Sequence, residues 1–132
     1  MEKITLDSHA VIKLLRNEDG AGKVERIINE AKENRVPLLM SVVNLGEVFY
    51  ITQRKHGTQE ALRACDALES VPINMIPAGK EISMLAASLK SEKKMSYADC
   101  FAAATAMMHK TALVTGDKEF KEVEKEIKVL WI

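Results

Sequence analysis

Short apolar runs alternate along this chain with longer stretches whose apolar positions recur every three or four residues. Residues 3–7, KITLD, read as a first strand. Ser8 can cap the helix that follows, with Val11, Ile12, Leu14 and Leu15 on its inner face. A second helix over residues 21–34 carries Val24, Ile27, Ile28 and Ala31 at helical spacing. Pro37 precedes a second strand, 38–40, and Ser41 can cap a long third helix that Gly57 ends. Residues 59–70 form a fourth helix, and Pro72 and Pro77 bracket a third strand, 73–76. A helix over 80–93 and a small-residue helix starting at Ser96 lead to a fourth strand, 112–114. A short helix over 118–123 and a charged segment then precede a last strand, 129–132.

No turn between these strands is short enough to close an antiparallel hairpin. The pattern therefore predicts an α/β fold: one domain over residues 1–132, with a central parallel sheet of four to five short strands and helices on both faces. In open sheets of this class ligands bind just beyond the carboxyl ends of the strands. The segment from Ser96 to Phe120 delivers two acids there, Asp99 near a helix start and Asp117 just after a strand end.

Two more acids join them. Asp7 ends the first strand, and Glu47 lies mid-helix with Val43, Tyr50 and Ile51 on its face. Each of three acids has an ordinary local explanation. Asp7 and Asp117 suit helix starts, and Ser96-Tyr97-Ala98-Asp99 resembles a capping box. Glu47 is different, because a carboxylate among apolar neighbours is costly unless paired or bound to a cation. Asn44, one turn earlier, is placed to orient it. If parallel strands bring all four to one rim, their mutual repulsion raises their pKa values until a cation neutralises them. With no His or Cys cluster, oxygen ligands suit Mg²⁺ or Mn²⁺, the usual partners of phosphate substrates. The expected arrangement has Asp7 and Asp99 holding the main ion, with Glu47 and Asp117 completing the cluster. The hydroxyls of Ser8 and Thr115 either serve turns and caps or orient a water or phosphate.

Composition narrows the partners. With 19 basic and 19 acidic residues the formal charge is zero, so attraction to nucleic acid must come from a local patch. Lys90, Lys93 and Lys94 before Asp99, and Lys118 and Lys121 beside Asp117, are the candidates, with His9 as a further phosphate contact. Cys65 and Cys100 fit no ligand spacing and read as small apolar residues in a reducing compartment. No signal-peptide or membrane-spanning pattern is present, so the cytoplasm is the expected location.

In order, LDSHAVIKLL, SVVNLGEVFY, SYADCFAAATA and LVTGDKEF resemble the PIN domain, specifically the VapC-like ribonuclease toxins of bacterial and archaeal toxin–antitoxin pairs. That resemblance covers nearly the whole chain. It implies a PIN-like parallel sheet and Mg²⁺- or Mn²⁺-dependent endonucleolytic cleavage of RNA. It carries the family's acids onto Asp7, Glu47, Asp99 and Asp117 and its strand-end hydroxyl onto Thr115. The implied partners are a cognate antitoxin protein and a second copy of the chain as a homodimer. His9 departs from the pattern, since similar proteins often have a small or amide residue there. Two other readings stay open at this stage. One is a receiver-like phosphoacceptor, although Asp7-Ser8 replaces adjacent acids and no lysine ends the final strand. The other is a PIN-fold module that binds RNA or protein without cutting.

Overall fold

A computed structural model describes residues 2–132. Five strands form one sheet: β1 (Ile4–Leu6), β2 (Leu38–Ser41), β3 (Ile73–Ile76), β4 (Ala112–Thr115) and β5 (Val129–Trp131). Their spatial order is β3-β2-β1-β4-β5, and every neighbouring pair runs parallel. This order differs from the 2-1-3-4-5 order of receiver domains, so the phosphoacceptor reading is corrected.

Helices α1 (Ser8–Leu15) and α2 (Ala21–Glu33) connect β1 to β2, and α3 (Val42–His56) and α4 (Thr58–Glu69) connect β2 to β3. Helices α5 (Lys80–Glu92) and α6 (Tyr97–His109) lead to β4, and a 3-10 helix, Lys118–Val123, lies between β4 and β5. Gly57 joins α3 to α4 at φ +89°, a left-handed conformation that costs a glycine little and other residues much.

Side chains alternate across the sheet. Ile4, Leu6, Leu38, Met40, Ala112 and Val114 share one core with Val11, Val24, Ile28 and Leu68. Leu113 joins Ile82, Ala86, Leu89, Phe101 and Phe120 in the other. Helix α6 packs on β1, β2 and β4 and against α3 and α5. Its alanines 102, 103, 104 and 106 are all buried, so their small size lets the backbone lie close to the sheet. On the same face as Leu113, Thr5 is buried and shares a 2.6 Å hydrogen bond with the Thr111 hydroxyl.

The direction in which successive strands are added to the sheet reverses between β1 and its neighbour β4. The segment after β1 heads toward β2 and β3, whereas the one after β4 heads to β5. This is the topological switch point, where a crevice opens beyond the strand ends. Asp7 follows β1 there, and Thr115, Gly116 and Asp117 end and follow β4.

Several local expectations change. Asp7, extended at φ −89° and ψ 176°, is itself the N-cap of α1, and Ser8 is the first helical residue rather than the cap. In α1 the fully packed side is Ser8, Ala10 and Val11, while Ile12, Leu14 and Leu15 are half-buried. Tyr50, Tyr97 and Trp131 are exposed. Cys100 is buried and Cys65 half-buried, both as free thiols.

Candidate active site

The capping chemistry at the switch point is what places the acids. Asp7 Oδ1 accepts the Ala10 N–H at 2.8 Å, closing the first turn of α1, and Oδ2 accepts the Thr115 hydroxyl. Thr115 Oγ1 in turn accepts the Asp117 N–H at 2.9 Å. One hydroxyl thereby locks the ends of β1 and β4 together. Asp7 is completely buried. Burial raises its pKa to about 7; the Thr115 and Ala10 hydrogen bonds oppose the rise, and the charges of Asp117 and Glu47 add to it.

Glu47 reaches the same place from α3. Its Oε1 accepts the Ser8 hydroxyl at 2.8 Å and the Asn44 amide at 3.0 Å. Asn44 also donates to the Ala98 carbonyl at 3.1 Å, tying α3 to the first turn of α6 one residue before Asp99. Asn44 is therefore a positioning residue for two acids at once. Its own Oδ1 is buried without a protein partner.

Asp99 shows how tertiary contact redirects a local motif. Ser96 Oγ accepts the Asp99 N–H at 3.1 Å, which is half of a capping box. The reciprocal bond is not made by Asp99. Glu119 Oε1 accepts the Ser96 N–H instead, at 2.6 Å, so the Asp99 carboxyl is free to face the cleft. Its pKa is raised to about 9, first by burial and then by Asp117, through charge and a shared hydrogen bond, with Asp7 and Glu119 adding to the repulsion. Asp117 caps the 3-10 helix, accepting the Glu119 N–H at 2.9 Å.

Oxygen atoms of Asp99, Asp117 and Glu119 lie within 4.8 Å of one another. With Ser8, His9 and Glu47 they line a hollow of about 390 Å³. Asp7 lies beneath, fully buried, close enough for its charge to act on Asp99. The acids singled out in the sequence thus converge, and Glu119 joins them. The nearest sequence signal for Glu119 was its place in the first turn after the Asp117 cap.

The lysines behave differently. Lys90 donates to the Met95 carbonyl at 2.8 Å, and Lys93 pairs with Glu126 at 2.9 Å. The backbone N–H of Lys94 goes to Glu122, and Lys118 is exposed outside the hollow's lining. The lysines that do line the hollow are Lys13 and Lys55.

A sequence profile of the PIN domain matches residues 4–126. The chain belongs to the PIN domain family. Solved structures similar to this PIN domain include a chain of VapBC2 from Rickettsia felis bound to a DNA fragment from their promoter. It has a TM-score of 0.78 and 16% identity, covering 98% of each chain. VapC20 of Mycobacterium tuberculosis, a sarcin–ricin loop cleaving toxin, matches with a TM-score of 0.73 at 16% identity, covering 90% of this chain and 93% of that one. A toxin–antitoxin complex from Klebsiella pneumoniae matches with a TM-score of 0.67 at 22% identity, covering 97% and 96%. No curated protein matches the chain.

The PIN domain's acids fit a divalent cation. Among the described residues the ion pairs join Arg16 and Arg63 to Glu60, Lys93 to Glu126 and Lys128 to Glu2, and none reaches the cluster. Packed carboxylates without a basic partner must keep protons or take up a cation. Their oxygen-only donor set suits a hard ion.

His9 closes one wall. Its Nδ1 is buried without a protein partner, and burial lowers its pKa, with Lys13 adding to the effect. The ring lies so close to Gly116 that a Cβ there would stand 2.8 Å from Cε1. Gly116→Ala is therefore expected to displace the ring at a cost of about 1–3 kcal/mol. Denaturant midpoints check this, and Gly116→Ala combined with His9→Ala recovers part of the loss. Equal stability of Gly116→Ala and the parent would remove the steric role of the glycine.

Proposed function

We propose that this protein is a metal-dependent endoribonuclease that hydrolyses RNA phosphodiester bonds, and that it acts as the toxin of a toxin–antitoxin pair. The observation that carries this reading is the cluster of Asp99, Asp117 and Glu119, with Glu47 and buried Asp7, at the switch point of a PIN domain, none of them ion-paired among the described residues. Asp99, Asp117 and Glu119 are the residues that would hold Mg²⁺ or Mn²⁺, supported by Glu47 and Asp7. When bound, such an ion polarises a phosphoryl oxygen and lowers the pKa of water. The chain's own contribution is placement. Ser8 and Asn44 both bond Glu47 Oε1, leaving Oε2 to the cleft. Thr115 holds Asp7 and the Asp117 backbone at fixed separation. A site so braced loses little freedom when substrate arrives, which is where positioning contributes to rate.

An antitoxin protein as partner is supported by the similarity to a chain of a toxin–antitoxin complex. A second copy as homodimer and a cytoplasmic location complete the proposal. Among the described residues no helix is long and apolar enough to cross a membrane.

RNA cleavage by the purified protein in EDTA, Mg²⁺ or Mn²⁺ tests the reading. Cutting is expected only with a divalent ion. Cutting that survives EDTA would overturn metal dependence. RNA binding and cation binding without any cutting would instead identify a catalytically silent module.

A further inference from the structure

The two edges of the sheet are built differently. Strand β3 is bracketed by Pro72 and Pro77, and prolines beside an edge strand limit its pairing with another chain. Strand β5 has no proline beside it. Leu113 donates its N–H to the Lys128 carbonyl at 2.9 Å, and Ile132 donates its own to the Thr115 carbonyl at 3.1 Å. In a parallel ladder alternate residues bond to the same neighbour, so Lys128, Leu130 and Ile132 face β4. The N–H and C=O groups of Val129 and Trp131 therefore point away from the sheet, along an open edge.

Beyond that edge lies a groove of about 390 Å³, lined by Val129, Leu130 and Trp131 and by Lys23, Arg26 and Ile27 of α2. Its two sides differ in chemistry. Leu130 and Ile27 pack on the core beneath α2, and exposed Lys23 and Arg26 stand on that side. Val129 packs on the core of Leu113, across the sheet, and Trp131 shares its face because side chains two apart do. Among the described residues neither Lys23 nor Arg26 has an ion-pair partner, and no acid lines the groove.

We propose that this edge takes up an extended segment of a partner protein as a sixth strand, with acidic side chains toward α2 and apolar ones beside Val129 and Trp131. The free main-chain groups supply the hydrogen bonds, and the two unlike faces select the side chains. Because strand side chains alternate, the segment reads acid, apolar, acid, apolar. A second copy of this chain fits worse. Two-fold pairing of β5 with β5 brings both sets of Lys23 and Arg26 to one face with no acid between them. The inference rests on the partner reading above, in which an antitoxin protein supplies the segment.

The probe is the peptide acetyl-EVEVEVE-amide, with acetyl-KVKVKVK-amide as its control. Amide hydrogen exchange of the full chain, read by NMR, is expected to show Leu130 and Ile132 protected and Val129 and Trp131 fast. Saturating acidic peptide slows Val129 and Trp131 by about tenfold or more, and the basic peptide leaves them unchanged. Lys23→Glu/Arg26→Glu weakens binding of the acidic peptide by about tenfold, since attraction becomes repulsion. Val129→Pro removes one outward N–H where an edge strand tolerates proline, and weakens binding while the fold is kept.

Val129 and Trp131 amides that stay fast with the acidic peptide overturn the proposal. So does an equal response to both peptides, or full affinity in the charge-reversed variant. Protection in the free protein that grows with its concentration also overturns it and assigns the edge to a second copy. The nuclease toxin reading fails separately. RNA cleavage in Mn²⁺ without peptide protection sinks the docking edge alone. Protection without cleavage keeps the edge and removes the antitoxin as its partner.

Discussion

Asp99→Asn is expected to abolish divalent-dependent RNA cleavage while raising the melting temperature of the metal-free protein. On the proposed function Asp99 would hold the ion, and losing a ligand of an ion that supplies several kcal/mol of transition-state stabilisation costs on the order of a thousandfold in rate or more. The stability change has the opposite sign because of what surrounds the carboxyl. Asp99 is buried, shares a hydrogen bond with Asp117, and is repelled by Asp117, Asp7 and Glu119. At neutral pH the folded protein must hold a proton on Asp99 that the unfolded chain has released, whereas a neutral amide of the same shape needs none and can still donate to Asp117. The gain is of order 1 kcal/mol at neutral pH in EDTA. Cleavage assays with Mn²⁺ beside thermal melts in EDTA check both halves. A variant that cuts like the parent would exclude Asp99 from the site. One that melts well below the parent would show that its structural role outweighs the repulsion.

Stability of the metal-free protein should fall as pH rises from about 4 to about 9, and a divalent cation should reverse the trend. The sign follows from proton binding. Asp7 and Asp99 have folded-state pKa values of about 7 and about 9, both raised from 3.8. The folded protein therefore holds protons that the unfolded chain has already released. Their stabilising effect is complete below about pH 4 and is lost as pH climbs through 7 and then 9. For Asp7 alone a shift of this size corresponds to roughly 4 kcal/mol. A cation does the opposite, because its ligands must be ionised, so its effect grows with pH. At a hundredfold excess over Kd it adds about 2.7 kcal/mol, or roughly 10 °C in Tm for a domain of this size. Melting curves at pH 5, 7 and 9, in EDTA and in Mn²⁺, separate the two effects. Flat EDTA curves together with no cation shift would mean that the carboxylates are neutralised some other way.

The acids were legible because their local settings are distinctive. Asp7 ends and Asp117 closely follows a short apolar strand, and Glu47 stands mid-helix with an amide one turn before it. Glu119 was not legible, because its position in a charged segment is indistinguishable from that of a solvated helix acid. Only the fold brings it to the Ser96 N–H, 23 residues away in sequence. The cationic groups were misplaced for a related reason. Proximity to Asp99 in sequence drew attention to Lys90, Lys93 and Lys94, but Lys90 and Lys93 turn to Met95 and Glu126. Lys13 lines the cleft because Asp7 caps α1, so the helix that carries Lys13 rises from the same rim.

By itself the sequence determined the element types, the parallel character of the sheet and the oxygen chemistry of its rim. These follow from periodicity, turn length and side-chain identity, which are properties of neighbours along the chain. The tertiary structure alone decided the strand order, the release of Asp99 from its own cap, the entry of Glu119 and the choice of lysines. Each of these depends on which of several equivalent donors or acceptors lies within about 3 Å after distant segments pack, and no local pattern encodes that distance.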